Sequence, residues 1–90
     1  MAILYKVTGE ESELTVKADG VDSLIVLQDA VGGNIETLSL PNGKILILNE
    51  EGKIHNLPEN LKATELVKDI LSPVDYIAGD AVLCSQDELD

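Results

Sequence analysis

Pro41-Asn42-Gly43-Lys44 runs directly into Ile45-Leu46-Ile47-Leu48. Asn-Gly is a strong short-range hairpin signal, and a proline beside it presets the backbone of one turn residue. The aliphatic run that follows has no polar residue alternating within it, so it reads as a central strand covered on both faces. Residues 34–40 supply the first arm of that hairpin. A strand buried on both sides has to sit inside a larger sheet, and the remainder of the chain provides it.

Towards the N-terminus, Ile3, Tyr5 and Val7 alternate with Leu4, Lys6 and Thr8, the period-two pattern of a half-buried strand. Gly9-Glu10-Glu11-Ser12 reads as a turn. Leu14, Val16 and Ala18, alternating with Glu13, Thr15 and Lys17, then form the second arm of a hairpin. Asp19-Gly20 breaks that strand, and Asp19 or Asp22 can cap a helix. Val21, Leu24, Ile25, Leu27, Gln28 and Val31 recur at helical spacing until Gly32-Gly33, where Gly32 suits a left-handed C-terminal cap. Beyond the central hairpin, Asn49-Glu50-Glu51-Gly52-Lys53 is a turn and Ile54-His55 a short strand. Residues 60–71 form a second helix with Leu61, Ala63, Leu66, Val67 and Ile70 inward, ended by Ser72-Pro73. Residues 75–84 form the last strand, interrupted at Gly79, where a bulge or a close backbone approach is expected. The expectation is an α+β fold: a mostly antiparallel sheet of about five strands with two helices. Residues 1–84 make a single domain, and 85–90 a frayed acidic tail.

Composition narrows the chemistry. Seventeen Asp and Glu stand against six cations, a formal net charge of −11, and every cation is Lys. Such a surface disfavours most nucleic-acid and anionic-membrane partners and favours basic protein surfaces or cations. The hydrophobic share of 44% is too high for a disordered acidic tail, and the aromatic share of 2% makes the core aliphatic. Cys84 is the sole cysteine, so no intrachain disulfide is possible, which fits a reducing cytoplasm. The N-terminal residues lack a signal-peptide pattern, and no apolar run approaches the ~20 residues of a membrane span. A cytoplasmic protein is expected.

Each candidate site carries an ordinary structural reading beside a functional one. Gly32-Gly33 could cradle an anion, but phosphate loops precede helices and this pair follows one. Asn49, Glu50 and Glu51, with Asp75 or Asp80, could hold a cation, but the spacing of a calcium loop is absent, and no metal or cofactor is expected. His55 has no Cys or His at zinc-ligand spacing. Cys84 lies beside Val82 and Leu83 as an inert buried thiol. Asn60 caps the second helix, and Tyr76 combines an apolar body with a polar tip. If these residues instead form a binding surface, Asn49, Glu50, Glu51, Asn60 and Tyr76 are its members. No catalytic constellation emerges, so an enzyme is not expected.

Four blocks in order, Val31-Gly32-Gly33-Asn34-Ile35-Glu36, Asn49-Glu50-Glu51-Gly52-Lys53, Leu57-Pro58-Glu59-Asn60 with Ala63-Thr64, and Asp75-Tyr76-Ile77-Ala78-Gly79-Asp80-Ala81-Val82, resemble a family of small domains of unknown function met in bacteriophages, plasmids, conjugative elements and Gram-positive bacteria. The resemblance covers roughly residues 21–83. Asn34 stands where that family often has an aromatic residue. The resemblance implies an origin on a mobile element, and hence a protein directed against a host defence or nucleic-acid-handling protein. Together with the charge, this points to a non-enzymatic acidic inhibitor or adaptor that docks on a basic protein surface. The alternative is a module that binds or sequesters a small ligand, such as a nucleotide signal or a cation. The strand at 34–40 could also pair two copies into a homodimer.

Overall fold

The computed structural model describes residues 2–17, 20–72 and 74–89. Five antiparallel strands form one sheet: β1 (Ala2–Tyr5), β2 (Glu11–Leu14), β3 (Ile35–Ser39), β4 (Lys44–Asn49) and β5 (Ala81–Ser85), in the spatial order β2-β1-β5-β4-β3. Helix α1 (Ser23–Val31) covers one face, and α2 (Leu61–Leu66) with its flanking loops covers the other. The α+β reading with five strands and two helices holds.

Strand β4 is the residue-by-residue reason for two cores. Ile45 and Ile47 pack with Leu27 and Val31 of α1, and with Ala2, Val16, Val82 and Cys84. Leu46 points the other way, onto Ala63, Val67, Ile77 and Ala81. Ile45, Leu46 and Ile47 are all buried, so an unbroken aliphatic run is what this strand requires. Its turn is a three-residue loop. Gly43 N–H donates to Leu40 C=O, Leu40 N–H donates to Lys44 C=O, and Gly43 takes φ +80°. A two-residue Asn-Gly loop would need Pro41 to donate to Lys44 C=O, and proline has no N–H; Leu40 makes that bond instead, and the positive angle falls on Gly43.

Helix α1 ends as its residues dictate. The Asp22 carboxylate accepts from Leu24 N–H at 2.9 Å, and Gly32 closes the helix at φ +79°. Asp19 as the alternative cap lies outside the described residues, as do Ala18 in the second strand, Pro73 after the second helix and Asp90 in the tail.

Several boundaries differ from expectation. The first turn spans 6–10, with Lys6 N–H donating to Glu10 C=O and Gly9 at φ +94°. Glu11 and Ser12, expected in the turn, therefore pair with Tyr5 and Leu4, and β2 ends at Leu14 with Val16 still buried. Ile54 and His55 are turn, not strand: His55 N–H donates to Glu51 C=O, Leu57 N–H to Gly52 C=O, and Asn56 closes the coil at φ 55°. Helix α2 stops at Leu66. Beyond it Val67 N–H donates to Thr64 C=O and Ile70 N–H to Val67 C=O, so tighter turns replace the helical ladder. The chain must turn back there, because Ala78 bridges Glu59 and Ile77 N–H donates to the Thr64 hydroxyl at 2.9 Å. The last strand starts at Ala81, six residues later than expected from Asp75. Gly79 takes φ +87°, and a Cβ there would lie 2.8 Å from Leu57 Cδ1, which is the close approach its position suggested. Ser85 completes β5, Gln86–Glu88 add one 3-10 turn, and Leu89 packs on the α1-side core.

Candidate functional site

The turn after β4 and the loop after α2 meet on the α2 face of the sheet and enclose a groove. Its floor is apolar: Leu38 of β3, Leu48 of β4, and Leu71, Ile77 and Ala78. Its rim carries Glu36, Glu50 and Asp75 against the single cation Lys53, with Ile54 and Tyr76 completing the wall. Register explains the Glu36 position, since it pairs with Leu48 across the hairpin and so faces the same side as Leu38 and Leu46. The walls approach closely because Gly52 lacks a side chain. A Cβ on Gly52 would stand 2.7 Å from Ala78 C=O.

Lys53 organises the rim. Its ammonium pairs with the Asp75 carboxylate and lies 4.8 Å from the centre of the Tyr76 ring. Asp75 also accepts from Tyr76 N–H at 2.8 Å. The Lys53 hydrogen bond first, and the Tyr76 N–H second, hold the Asp75 carboxyl below the usual carboxylate range. This latch commits Asp75 and Lys53 to each other and leaves Glu36 and Glu50 as the exposed charges of the groove. Ile54 is 75% exposed and Tyr76 37% exposed.

The five residues singled out from sequence do not form one constellation. Asn49, Glu50 and Tyr76 line the groove. Asn49 is buried: its amide donates to Val31 C=O at 3.1 Å and its oxygen accepts from Glu51 N–H at 2.8 Å, so its polar atoms are occupied within the fold. The Asn49 side chain fills the space above Gly33, where a Cβ would fall 2.9 Å from Nδ2, and this explains the second glycine after α1. Glu51 is exposed outside the groove lining. Asn60 is fully buried away from it. Its Nδ2 donates to Tyr5 C=O at 2.8 Å and to Gly79 C=O at 3.0 Å, while Oδ1 caps α2 through Ala63 N–H at 3.1 Å. Glu36, Leu38, Leu48 and Ile54 were missed as site residues. Pairing Glu36 with Leu48 needs the loop length of the hairpin, which the Asn-Gly signal alone does not fix.

Elsewhere the acidic surface is partly answered. Lys62 pairs with Glu11, and Lys68 with Glu65 at 2.7 Å, and in each case the hydrogen bond to the carboxylate raises the lysine pKa. Glu10, Glu13, Glu51 and Glu59 are exposed. His55 is exposed, and Cys84 is buried, its thiol pushed up by that burial and then by Glu88. Among the described residues no group of three His, Cys, Asp or Glu could hold a metal ion, and no helix is long and apolar enough to cross a membrane.

The fold and groove define a small acidic α+β domain with an apolar trough under a carboxylate rim. The chain belongs to the family DUF3846, a domain of unknown function, whose model matches residues 1–90. No curated protein and no solved structure matches it.

Proposed function

We propose that this chain is a non-enzymatic binding protein that docks a basic surface of another protein at the groove rimmed by Glu36 and Glu50. The observation that carries this reading is the pairing of an apolar floor with two rim carboxylates, Glu36 and Glu50, that the Lys53–Asp75 latch leaves exposed. Leu38, Leu48 and Leu71 supply contact area, and the carboxylates select cationic partners and speed their encounter. At about 170 Å³ this groove is below the roughly 300–1,000 Å³ usual for small-molecule sites, so it suits contact with a macromolecular surface better than enclosure of a metabolite, whereas a more open pocket of about 420 Å³ lies by Tyr5, Leu61 and Leu66. The resemblance to mobile-element proteins supports the finer reading of an inhibitor acting in a bacterial cytoplasm on a host defence or nucleic-acid-handling protein.

The test is capture from host lysate with the native chain, a Glu36→Lys/Glu50→Lys double variant and a Glu10→Lys/Glu13→Lys control of equal net charge. The proposal expects a partner retained at low salt, released at high salt, lost with the first variant and kept by the second. Capture by neither native chain nor control at low salt, or equal capture by both variants, overturns it.

A further inference from the structure

Glu36 and Leu38 of β3 line the groove, and β3 is an edge of the sheet. Glu50 N–H donates to Asn34 C=O, and Leu40 N–H donates to Lys44 C=O. Antiparallel pairs alternate between hydrogen-bonded and non-bonded, so Glu36 and Leu38 turn their amides to β4. Ile35, Thr37 and Ser39 turn theirs away from the sheet. Among the described residues no strand lies beyond β3. The opposite edge, β2, carries Glu11 and Glu13 beside Glu10, the charge-guarded edge that resists pairing. Strand β3 has one charge in five residues and no proline.

We infer that β3 accepts an extended segment of the partner as a sixth strand, and that this segment alternates Lys or Arg with aliphatic residues. This rests on the acidic docking reading above. Main-chain bonds would form to Ile35, Thr37 and Ser39. Side chains on the α2 face would lie beside Glu36 and Leu38. Long basic side chains suit that row, because their stems cover Leu38 and Ile54 while their charged ends reach Glu36 and Glu50. On the other face the aliphatics would meet Ile35 and Thr37. Self-pairing is the poorer fit. A second copy centred on Thr37 would set Glu36 beside the partner's Leu38, with no lysine on either β3 to answer the carboxylates.

The probe is acetyl-Lys-Val-Lys-Val-Lys-Val-amide at low salt, followed by amide hydrogen exchange and calorimetry on the native chain. Slowed exchange at Ile35, Thr37 and Ser39 is expected, with binding weakened about tenfold or more when alternate peptide amides on one edge are N-methylated. Glu36→Lys should weaken it comparably, and Thr37→Pro should remove it while exchange in β1 and β5 stays unchanged. No binding, protection at β2 instead, or binding indifferent to N-methylation overturns the inference. Protection of the same amides that depends on protein concentration without peptide would mean a homodimer and overturns it too. Loss with Glu36→Lys but not with N-methylation would leave acidic docking standing and strand addition refuted.

Discussion

Asn60 is the residue on which the two halves of the molecule hang. Its amide joins the end of β1 to the Gly79 bend, and its oxygen starts α2. Asn60→Ala would strand two buried carbonyls and an N-cap, and should lower unfolding stability by about 3 kcal/mol, read from urea midpoints. Asn60→Asp keeps the cap but aims a carboxylate at two carbonyl oxygens, so it should be at least as damaging at neutral pH. Equal stability of Asn60→Asp and native protein would refute the role. Its capping part was legible, because Asn before a helical run is a common start signal. Its burial was not, since Tyr5 and Gly79 come together only when the sheet forms. Cys84 is simpler. A buried thiol with a raised pKa should react with a thiol reagent far more slowly in the native protein than in denaturant, and comparable rates would contradict its placement.

Among the elements, β4 could be read ahead of its structure because the Asn-Gly turn and the short Ile-rich run after it agree: Ile45, Leu46 and Ile47, bounded by turns, suit a strand with neighbours on each side and cover above and below. Helix α2 could not. Val67, Ile70 and Leu71 continue the helical spacing, yet Val67 is buried through a turn. Nothing local distinguishes an inward residue on a helix from one on the turn that follows. Thr64 is the long-range cause, since its hydroxyl accepts from Ile77 N–H and fixes the returning chain against the short helix. Thr64→Val, which keeps the shape and removes the acceptor, should cost about 1–2 kcal/mol in thermal or chemical unfolding. It should also raise amide exchange at Ile77 before exchange in β4 changes. Unaltered Ile77 exchange would count against this assignment.

For the whole molecule, a charge of −11 on 90 residues makes self-repulsion part of the stability balance. Added salt at pH 7 should therefore raise the unfolding midpoint. Mild acid should do the same at first, as the charge falls towards the sequence pI of about 4.2. Glu88 sets a counter-trend. Partial burial favours its neutral form, but the Ser85 N–H at 3.1 Å and hydroxyl at 3.0 Å outweigh it and hold its carboxyl below the usual range. A depressed folded pKa means its stabilisation is present above the ordinary glutamate range and is lost as pH falls through the lowered value. Stability should thus pass through a maximum in mild acid and decline once the carboxyls held below their usual range take up protons, with a shallower decline in Glu88→Gln. A monotonic rise into acid would remove Glu88 and Asp75 from the account.

The spatial order β2-β1-β5-β4-β3 places in the middle the strand that comes fifth along the chain. A ribosome therefore releases two hairpins, β1-β2 and β3-β4, with an open slot between them. Until residues 81–85 leave the exit tunnel, the nascent polypeptide keeps Ile45, Ile47 and the β1 edge without their central neighbour. Emergence of residues 81–85, not of the first hairpins, is then the event that lets this domain acquire its native form, and a chain stalled before that point would be a natural client for chaperones.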